Sequence, residues 1–367
     1  ILMTLKKLII FMPSIEGGGV EKNLFIISNY LSNKIKKIYL ITASKKYKNN
    51  FNKKIKLILP KSNSWDKYGR KVKYLICLFL LLNKIISDKN ITVLCFQANI
   101  YCIILCKIFN RKIIVRSNSS PSGWSNNFLK NIIFKFILKK ADKIIVNSFE
   151  FKKQLNYRFN VKAVCIYNPL NQNEIIKKSK IKGIRIFKDK KKLKIINVGR
   201  FVDQKDQMTF LKALNLLKNK IDFDAVLVGS GVLKKSLINF IKNNNIERKV
   251  KFINFTSNPY PLIKQADIFV LSSKYEGLPN VLLEAITLKK FIISSNCPTG
   301  PKEILLNGDG GLLFKLGSYY DLQKKILFYI KNKKKCNLML NKAIKNLDRF
   351  DLNQNLEGYL NLVKKFI

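Results

Sequence analysis

Residues 266–288 read ADIFVLSSKYEGLPNVLLEAITL, and the way this stretch alternates decides the fold. Ile268–Leu271 is an apolar run of strand length, followed by the polar Ser272–Tyr275. Gly277 and Pro279 shape a turn, and Asn280 is a favoured N-cap for a helix from Val281 to Thr287. A strand that feeds a helix through a short Gly/Pro joint is the repeating unit of a parallel sheet. Two carboxylates bracket the joint. If both were helical, Glu276 and Glu284 would sit about 80° apart around the axis. Glu276 instead precedes the turn, so it aims past the strand end, while Glu284 lies about one turn into the helix. The helix N-terminus between them presents backbone N–H groups that suit an anion. A capping carboxylate and a solvated helix face would explain the same pair without any ligand.

Working outward, the pattern repeats. In the first half, strands are expected at Lys7–Met12, Ile38–Thr42, Lys56–Leu59, Thr92–Phe96, Lys112–Arg116, Lys143–Asn147 and Ala163–Tyr167. Helical periodicity lies between several of them, notably at Val20–Ser32 and Tyr68–Ser87. A second series has strands at Lys194–Val198, Ala225–Val228, Lys251–Phe252, Ile268–Leu271 and Phe291–Ser294. Helices around Met208–Asn219, Val232–Asn243, Tyr260–Gln265 and Val281–Thr287 separate these. A chain of 367 residues exceeds one ordinary core. The expectation is α/β, with two Rossmann-like, doubly wound parallel sheets facing a central cleft. Residues 1–170 would form the first domain, a lysine-rich stretch at 171–192 the linker, 193–345 the second domain, and 346–367 a closing helix.

Composition narrows the classes of function. The net charge is +48, from 70 Lys+Arg against 22 Asp+Glu, with no histidine. Such an excess fits nucleic acid, an anionic membrane or phosphorylated substrates, and equally the coding bias of an AT-rich genome. The lysines are spread along the chain without interleaved aromatics, which argues against a nucleic-acid face. The seven cysteines form no CxxC pair and lie mostly in apolar runs, as buried thiols in a reducing, cytoplasmic compartment would. The longest apolar run, Tyr74–Leu82, is nine residues, where a spanning helix needs about 20.

Two further stretches sit where open α/β sheets bind ligands, at strand ends before helices. In Ser14-Ile-Glu-Gly-Gly-Gly-Val-Glu21, the glycines allow close backbone approach and the next helix offers N–H groups. It matches neither GxGxxG nor a P-loop, and a merely flexible turn would read the same. In Asn197-Val-Gly-Arg-Phe-Val-Asp-Gln-Lys-Asp206, Arg200 leaves a strand end and Lys205 precedes the next helix. Two fixed cations suit a diphosphate, at roughly 1.5–3 kcal/mol per charge-assisted bond. Asp222-Phe-Asp224 has the DxD form of a metal site, but it precedes its strand, at the end away from the expected cleft.

Taken together, Glu276-x7-Glu284, Val198-Gly-Arg200 with Lys205, Val228-Gly-Ser-Gly231 and the N-terminal Gly-Gly-x-Glu resemble the retaining GT-B glycosyltransferases of glycosyltransferase family 4. Ala266–Ser273, Ser295-Asn-Cys-Pro-Thr-Gly-Pro-Lys-Glu303 and Gly311-Leu-Leu313 match as well, so the resemblance is strongest from about 194 to 314. It implies that Arg200 and Lys205 bind the diphosphate of a nucleotide-sugar and stabilise the leaving nucleotide. Glu276 would contact the donor sugar and Glu284 the ribose. The backbone of Gly277, Leu278, Pro279, Asn280 and Val281, with Gly18 and Gly19, would cradle the phosphates. Gly229 would adjoin the nucleotide, and Asn254 and Phe255 would flank the base. No residue need act as a covalent nucleophile, and neither metal nor cofactor is implied.

The chain departs from the family pattern in three places. It has no histidine for the position near the reacting carbon. Arg116, Ser117 and Asn118, in the loop Val115–Pro121, are the candidates to replace it on the acceptor side. Ser230 stands where Asp is common, and Asn254 where Gly is common. The resemblance implies transfer of a hexose or N-acetylhexosamine, from UDP-sugar above all, to a surface-glycan acceptor on a lipid carrier. The apolar and basic stretch Lys67–Lys89 suits peripheral docking on an anionic bilayer, or equally a core helix with a lysine-rich outer face. Other readings are a sugar-nucleotide epimerase or retaining phosphorylase, a non-catalytic transferase subunit, and a polyanion-binding module driven by charge.

Overall fold

The computed structural model of the chain describes residues 7–62, 65, 67–118, 124, 127–187, 189 and 191–367. It divides into two units, one up to Pro169 that takes back Leu352–Ile367, and one from Leu170 to Asp351.

The first unit runs β1 (Lys7–Phe11), α1 (Gly19–Ser32), β2 (Ile38–Ile41), β3 (Ile55–Ile58), α2 (Arg70–Ser87), β4 (Ile91–Cys95), α3 (Asn99–Ile108), β5 (Lys112–Arg116), α4 (Phe128–Lys139), β6 (Lys143–Val146), α5 (Phe149–Phe159) and β7 (Ala163–Cys165). All strand pairs are parallel, in the order β3-β2-β1-β4-β5-β6-β7. Leu8 to Phe11 are all fully buried because both faces of the sheet are covered. Ile9 and Phe11 join Cys77, Leu81 and Phe151 on one side, and Leu8 and Ile10 join Leu24 and Ile27 on the other. Side-chain caps start α4 and α5, where Asn127 accepts from Lys130 N at 3.1 Å and Ser148 from Phe151 N at 3.1 Å.

The second unit runs α6 (Gln172–Ser179), β8 (Leu193–Val198), α7 (Gln207–Leu217), β9 (Phe223–Val228), α8 (Lys234–Asn243), β10 (Val250–Ile253), α9 (Tyr260–Lys264), β11 (Ile268–Leu271), α10 (Asn280–Thr287), β12 (Phe291–Ser295), α11 (Gly300–Ile304), β13 (Leu312–Phe314), α12 (Tyr319–Lys331) and α13 (Lys333–Lys345). Its sheet is also parallel, ordered β10-β9-β8-β11-β12-β13. The closing helix α14 (Leu352–Lys364) then returns to the first unit beside α1, burying Tyr359 completely.

Two expectations need correction. The lysine-rich stretch 171–192 is not a bare linker, since it contains α6, which packs beside α9 and α10. Its few apolar residues are the ones that matter. Ile175, Ile186 and Phe187 are buried, and Ile186 N donates to Gln265 Oε1 at 3.0 Å. Asn280 is not the N-cap of α10 but its first residue. The cap position falls on Pro279, whose ring offers no acceptor for the first turn.

Sheet order places the sites. Each sheet reverses direction once, between β1 and β4 in the first and between β8 and β11 in the second. At such a reversal the two flanking loops leave in opposite directions and open a crevice at the carboxyl ends of the strands. The loops concerned are 12–18 and 96–98 in the first unit, and 199–206 and 272–279 in the second.

Candidate active site

In the second unit, the loops after β8 and β11 are joined along their length. Ser272 Oγ donates to Lys205 O at 2.9 Å, Lys274 N to Gln204 O at 2.8 Å, and Gln204 Nε2 to Tyr275 O at 3.0 Å. Lys205 is thereby delivered to Glu276. Its Nζ donates to Glu276 Oε1 at 2.5 Å, and Ser273 Oγ donates to the same oxygen at 2.6 Å. The Glu276 side chain is 8% exposed and that of Lys205 18%. The two residues form one unit, where the sequence suggested separate roles. A lysine has three N–H donors, so its bond to Glu276 is compatible with further bonds to an anion. Arg200, one turn of loop earlier, stays exposed, and its carbonyl accepts from Gln207 Nε2 at 3.0 Å.

The third loop of the site follows β12 and holds the Glu276 turn from below. Glu276 N donates to Pro298 O at 2.7 Å, Gly300 N to Gly277 O at 2.7 Å, and Thr299 Oγ1 reaches Gly277 O at 3.1 Å. Ser295 Oγ donates to Ser273 O at 2.6 Å. A Cβ on Gly300 would stand 2.2 Å from Gly277 O, so only glycine permits this approach. The segment Ser295–Pro301 thus positions the turn, and Gly277, Leu278 and Pro279 are themselves buried.

Val228-Gly-Ser-Gly231 has a similar packing role. A Cβ on Gly229 would lie 2.0 Å from Gly199 O, and one on Gly231 2.3 Å from Phe201 O. These glycines let the loop after β9 lie against the loop that carries Arg200. Asn254 and Phe255 follow β10 and are exposed, with Lys234 Nζ donating to Asn254 Oδ1 at 2.6 Å.

Glu284 is 5% exposed, on the first turns of α10. Its Oε1 accepts from Tyr260 OH at 3.2 Å. Tyr260, at the start of α9, joins the candidate site through this bond and was missed by sequence reasoning. Its only signal was a tyrosine before a proline at a helix start. Val281 and Asn280, in the first turn of α10, are partly exposed, and no acidic residue lies in that turn. Its dipole therefore favours an anion nearby. Asp222 and Asp224 lie at the opposite end of the sheet, where β9 begins. They stand 3.2 Å from Lys249 Nζ and 4.0 Å from Lys192 Nζ.

In the first unit, Gly18 is the N-cap of α1 and Gly19 its first residue. Glu21 folds back over this end, accepting from Glu16 N at 3.4 Å, and its carboxylate would touch a Cβ on Gly18 at 2.9 Å. A carboxylate already stands at this helix terminus, which disfavours a second anion there. Only Gly17, at φ 84, needs glycine for its conformation.

Arg116 is fully buried, contrary to its expected place as a group facing an acceptor. Its Nε donates to Tyr359 OH at 2.7 Å and its Nη2 to Asn168 Oδ1 at 2.6 Å. The guanidinium holds α14 against the sheet, and the tyrosine stays protonated because burial outweighs the cation and lifts its pKa. Ser117 is buried and Asn118 half-buried beside it, while Ser119, Ser120 and Pro121 of the same loop lie outside the described residues. The outer face of α2 is not lysine-rich. Leu75 and Phe79 are 70% and 56% exposed, with Val72 and Ile86 alongside, whereas Lys73 is buried. On neighbouring α3 and α4, Tyr101, Ile104, Ile108, Phe128, Leu129, Ile132, Ile133 and Phe136 are exposed too. No Asp or Glu occurs in residues 67–87 or 128–140. No helix among the described residues is long and apolar enough to cross a membrane.

The family model of glycosyl transferases group 1 matches residues 179–346. An N-acetylgalactosamine-N,N'-diacetylbacillosaminyl-diphospho-undecaprenol 4-alpha-N-acetylgalactosaminyltransferase of Campylobacter jejuni is 26% identical over 361 residues, covering 95% of this chain and 96% of that protein. The uncharacterized glycosyltransferase MJ1059 of Methanocaldococcus jannaschii is 32% identical over 60% of this chain and 56% of its own length. Among solved structures, Anabaena HepE in complex with UDP and glucose superposes with a TM-score of 0.78 at 17% identity, over 98% of this chain and 99% of that one. Sucrose-phosphate synthase from Thermosynechococcus elongatus gives 0.79 at 13% identity, over 98% of each chain. With its two parallel α/β units this chain has the GT-B fold, and residues 179–346, in its second unit, match the glycosyl transferases group 1 family model.

Proposed function

We propose that this protein is a retaining, metal-independent glycosyltransferase that moves a hexose or N-acetylhexosamine from a UDP-sugar to a glycan on a lipid carrier. The observation that carries the reading is the Lys205–Glu276–Ser273 cluster, its carboxylate and hydroxyl buried, at the reversal point of the second sheet, beside the first turn of α10. Arg200, Lys205 and the α10 N-terminus are suited to the diphosphate and to the charge that develops on it as it leaves. Glu276, oriented by Lys205 and Ser273, binds donor-sugar hydroxyls. Glu284, oriented by Tyr260, binds the ribose. Asn254 and exposed Phe255 flank the base. The acceptor hydroxyl enters on the face from which the diphosphate departs, and no side chain forms a covalent intermediate.

The acceptor class is supported by the full-length Campylobacter jejuni relatives, whose names specify diphospho-undecaprenol-linked glycans. The acid-free apolar surface of α2, α3 and α4 supports a cytoplasmic enzyme resting on an anionic leaflet, where each basic residue near the surface adds about 1 kcal/mol. A protein driven by charge alone would instead bind any polyanion with a steep salt dependence. Calorimetry against UDP, GDP, ADP and UDP-sugars, with and without EDTA, separates the two. Saturable, EDTA-insensitive binding of one nucleotide is expected, and proton NMR of the product should show the donor's anomeric configuration kept. Salt-sensitive polyanion binding with no nucleotide response would overturn the reading.

A further inference from the structure

Both cations of the candidate site are held by their own backbone carbonyls, each through a buried side chain. Arg200 is exposed, and a long exposed side chain keeps much of its rotamer freedom. Where its Cα stands therefore decides what the guanidinium can reach. Arg200 O accepts from Gln207 Nε2 at 3.0 Å and also from Val202 N at 3.0 Å, the second bond closing a tight turn at Phe201. Lys205 O accepts from Ser272 Oγ at 2.9 Å. Gln207 and Ser272 are both buried. Gln207 is the first residue of α7, a rigid support. Asp206 caps that helix by accepting from Thr209 N at 3.3 Å, and Phe210, Leu211 and Leu214 anchor it in the core. A Cβ on Gly199 would stand 3.7 Å from the Lys205 stem and 3.8 Å from Gln207 Nε2, so the amide, the lysine and the Arg200 turn are packed together.

Neither packing nor hydrogen-bond accounting explains a glutamine here. Gln207 Oε1 is buried without a partner among the described residues, and an unpaired buried acceptor destabilises a fold. Methionine would fill the space without that loss, and Arg200 O would still accept from Val202 N. That local bond closes the turn but cannot place it relative to α7, and the Gln207 bond does. We propose that Gln207 is a positioning residue of the diphosphate clamp: through the Arg200 carbonyl it sets where the guanidinium meets the β-phosphate, and Ser272 does the same for Lys205. Neither side chain touches the donor. The inference deepens the proposed function and rests on its placement of Arg200 and Lys205 at the diphosphate. Its signature is confined to the second phosphate, because UMP carries the base, the ribose and one phosphate, and UDP adds only the other.

Calorimetry with UDP and UMP on the parent, Gln207→Met, Ser272→Ala, Arg200→Ala and the Arg200→Ala/Gln207→Met double variant tests this, with circular dichroism as the check on folding. Gln207→Met should lower UDP affinity about three- to tenfold, part of the roughly 10- to 100-fold that one charge-assisted bond contributes, and leave UMP affinity unchanged. Ser272→Ala should shift the UDP/UMP ratio in the same direction. In the Arg200→Ala background, Gln207→Met should change UDP affinity by less than about twofold, since nothing is left for the amide to aim. Equal losses for UDP and UMP in a folded Gln207→Met, or a loss undiminished by Arg200→Ala, would make the residue structural only and overturn the inference. A parent-like ratio in both single variants would overturn it too. Should Gln207→Met not fold, the ratio in Ser272→Ala decides alone. A parent that binds neither nucleotide, or UDP no better than UMP, would sink the transferase site itself. A parent that prefers UDP, with variants that keep the preference, would sink this inference and leave that reading standing.

Discussion

Replacing Lys205 by methionine keeps the length and apolar stem of the side chain and removes its charge. In the structure, that charge sits 2.5 Å from a carboxylate whose side chain is 8% exposed. Ser273 Oγ would remain as a partner of the same oxygen at 2.6 Å, but a hydroxyl does not neutralise a buried anion. Breaking a buried pair by removing one partner typically costs about 3–5 kcal/mol. The remaining hydroxyl and the 18% exposure of Lys205 reduce that here to about 2–3 kcal/mol. For a unit of this size the loss corresponds to a fall in Tm of roughly 4–12 °C. Adding Glu276→Gln should recover most of it, since an amide in that place is neutral and accepts from Ser273 as the carboxylate did. Thermal unfolding by circular dichroism of the two single variants and the double variant measures the coupling. Transfer should be lost in all three, because stability is restored in the double variant but the cation and carboxylate are not. Equal Tm values for Lys205→Met and the parent, or a double variant no more stable than Lys205→Met, would refute the coupling. Near-normal transfer by Lys205→Met would refute the site.

Glu284→Ala should lower UDP affinity about 10- to 100-fold, the loss of a bond to a charged group, whereas Tyr260→Phe, which only orients that carboxylate, should cost about three- to tenfold. Calorimetry with UDP checks both, and equal affinities in parent and Glu284→Ala would remove the ribose role. Gly300→Ala forces a Cβ to within 2.2 Å of Gly277 O, so the turn carrying Glu276 must shift. Transfer should fall at least about 100-fold, as misplacement by about an ångström does, while far-UV circular dichroism stays unchanged; full activity would show that the turn tolerates displacement. Phe79→Asp, on the exposed face of α2, should weaken sedimentation with anionic vesicles by about tenfold or more, for the lost burial of one aromatic side chain, without altering UDP binding. Unchanged vesicle binding would place membrane contact elsewhere or nowhere.

The βα alternation was legible because a parallel sheet covered on both faces needs short, wholly apolar strands. Leu8–Phe11 and Ile268–Leu271 are such runs, and their order and spacing give two doubly wound sheets without any coordinates. The places of Arg200, Lys205, Glu276 and Glu284 were legible because each follows a strand end or lies near a helix start, where open α/β sheets present ligand-facing loops. The helix in residues 171–192 was obscured by lysines, which report solvent exposure on one face and say nothing of the Ile175, Ile186 and Phe187 side chains beneath.

Contacts between loops distant in sequence were decided only in three dimensions. Lys205 and Glu276 are 71 residues apart, and nothing local shows that they form an ion pair. Tyr260 reaches Glu284 only because α9 and α10 pack together. Arg116, placed on the acceptor side by the family resemblance, is buried because α14 returns 243 residues later to cover it. Local sequence fixes which backbone each segment prefers and which face must be buried, since those depend on near neighbours. Which charges meet, and which carbonyls a buried side chain holds, depends on pairings that only the closed chain makes.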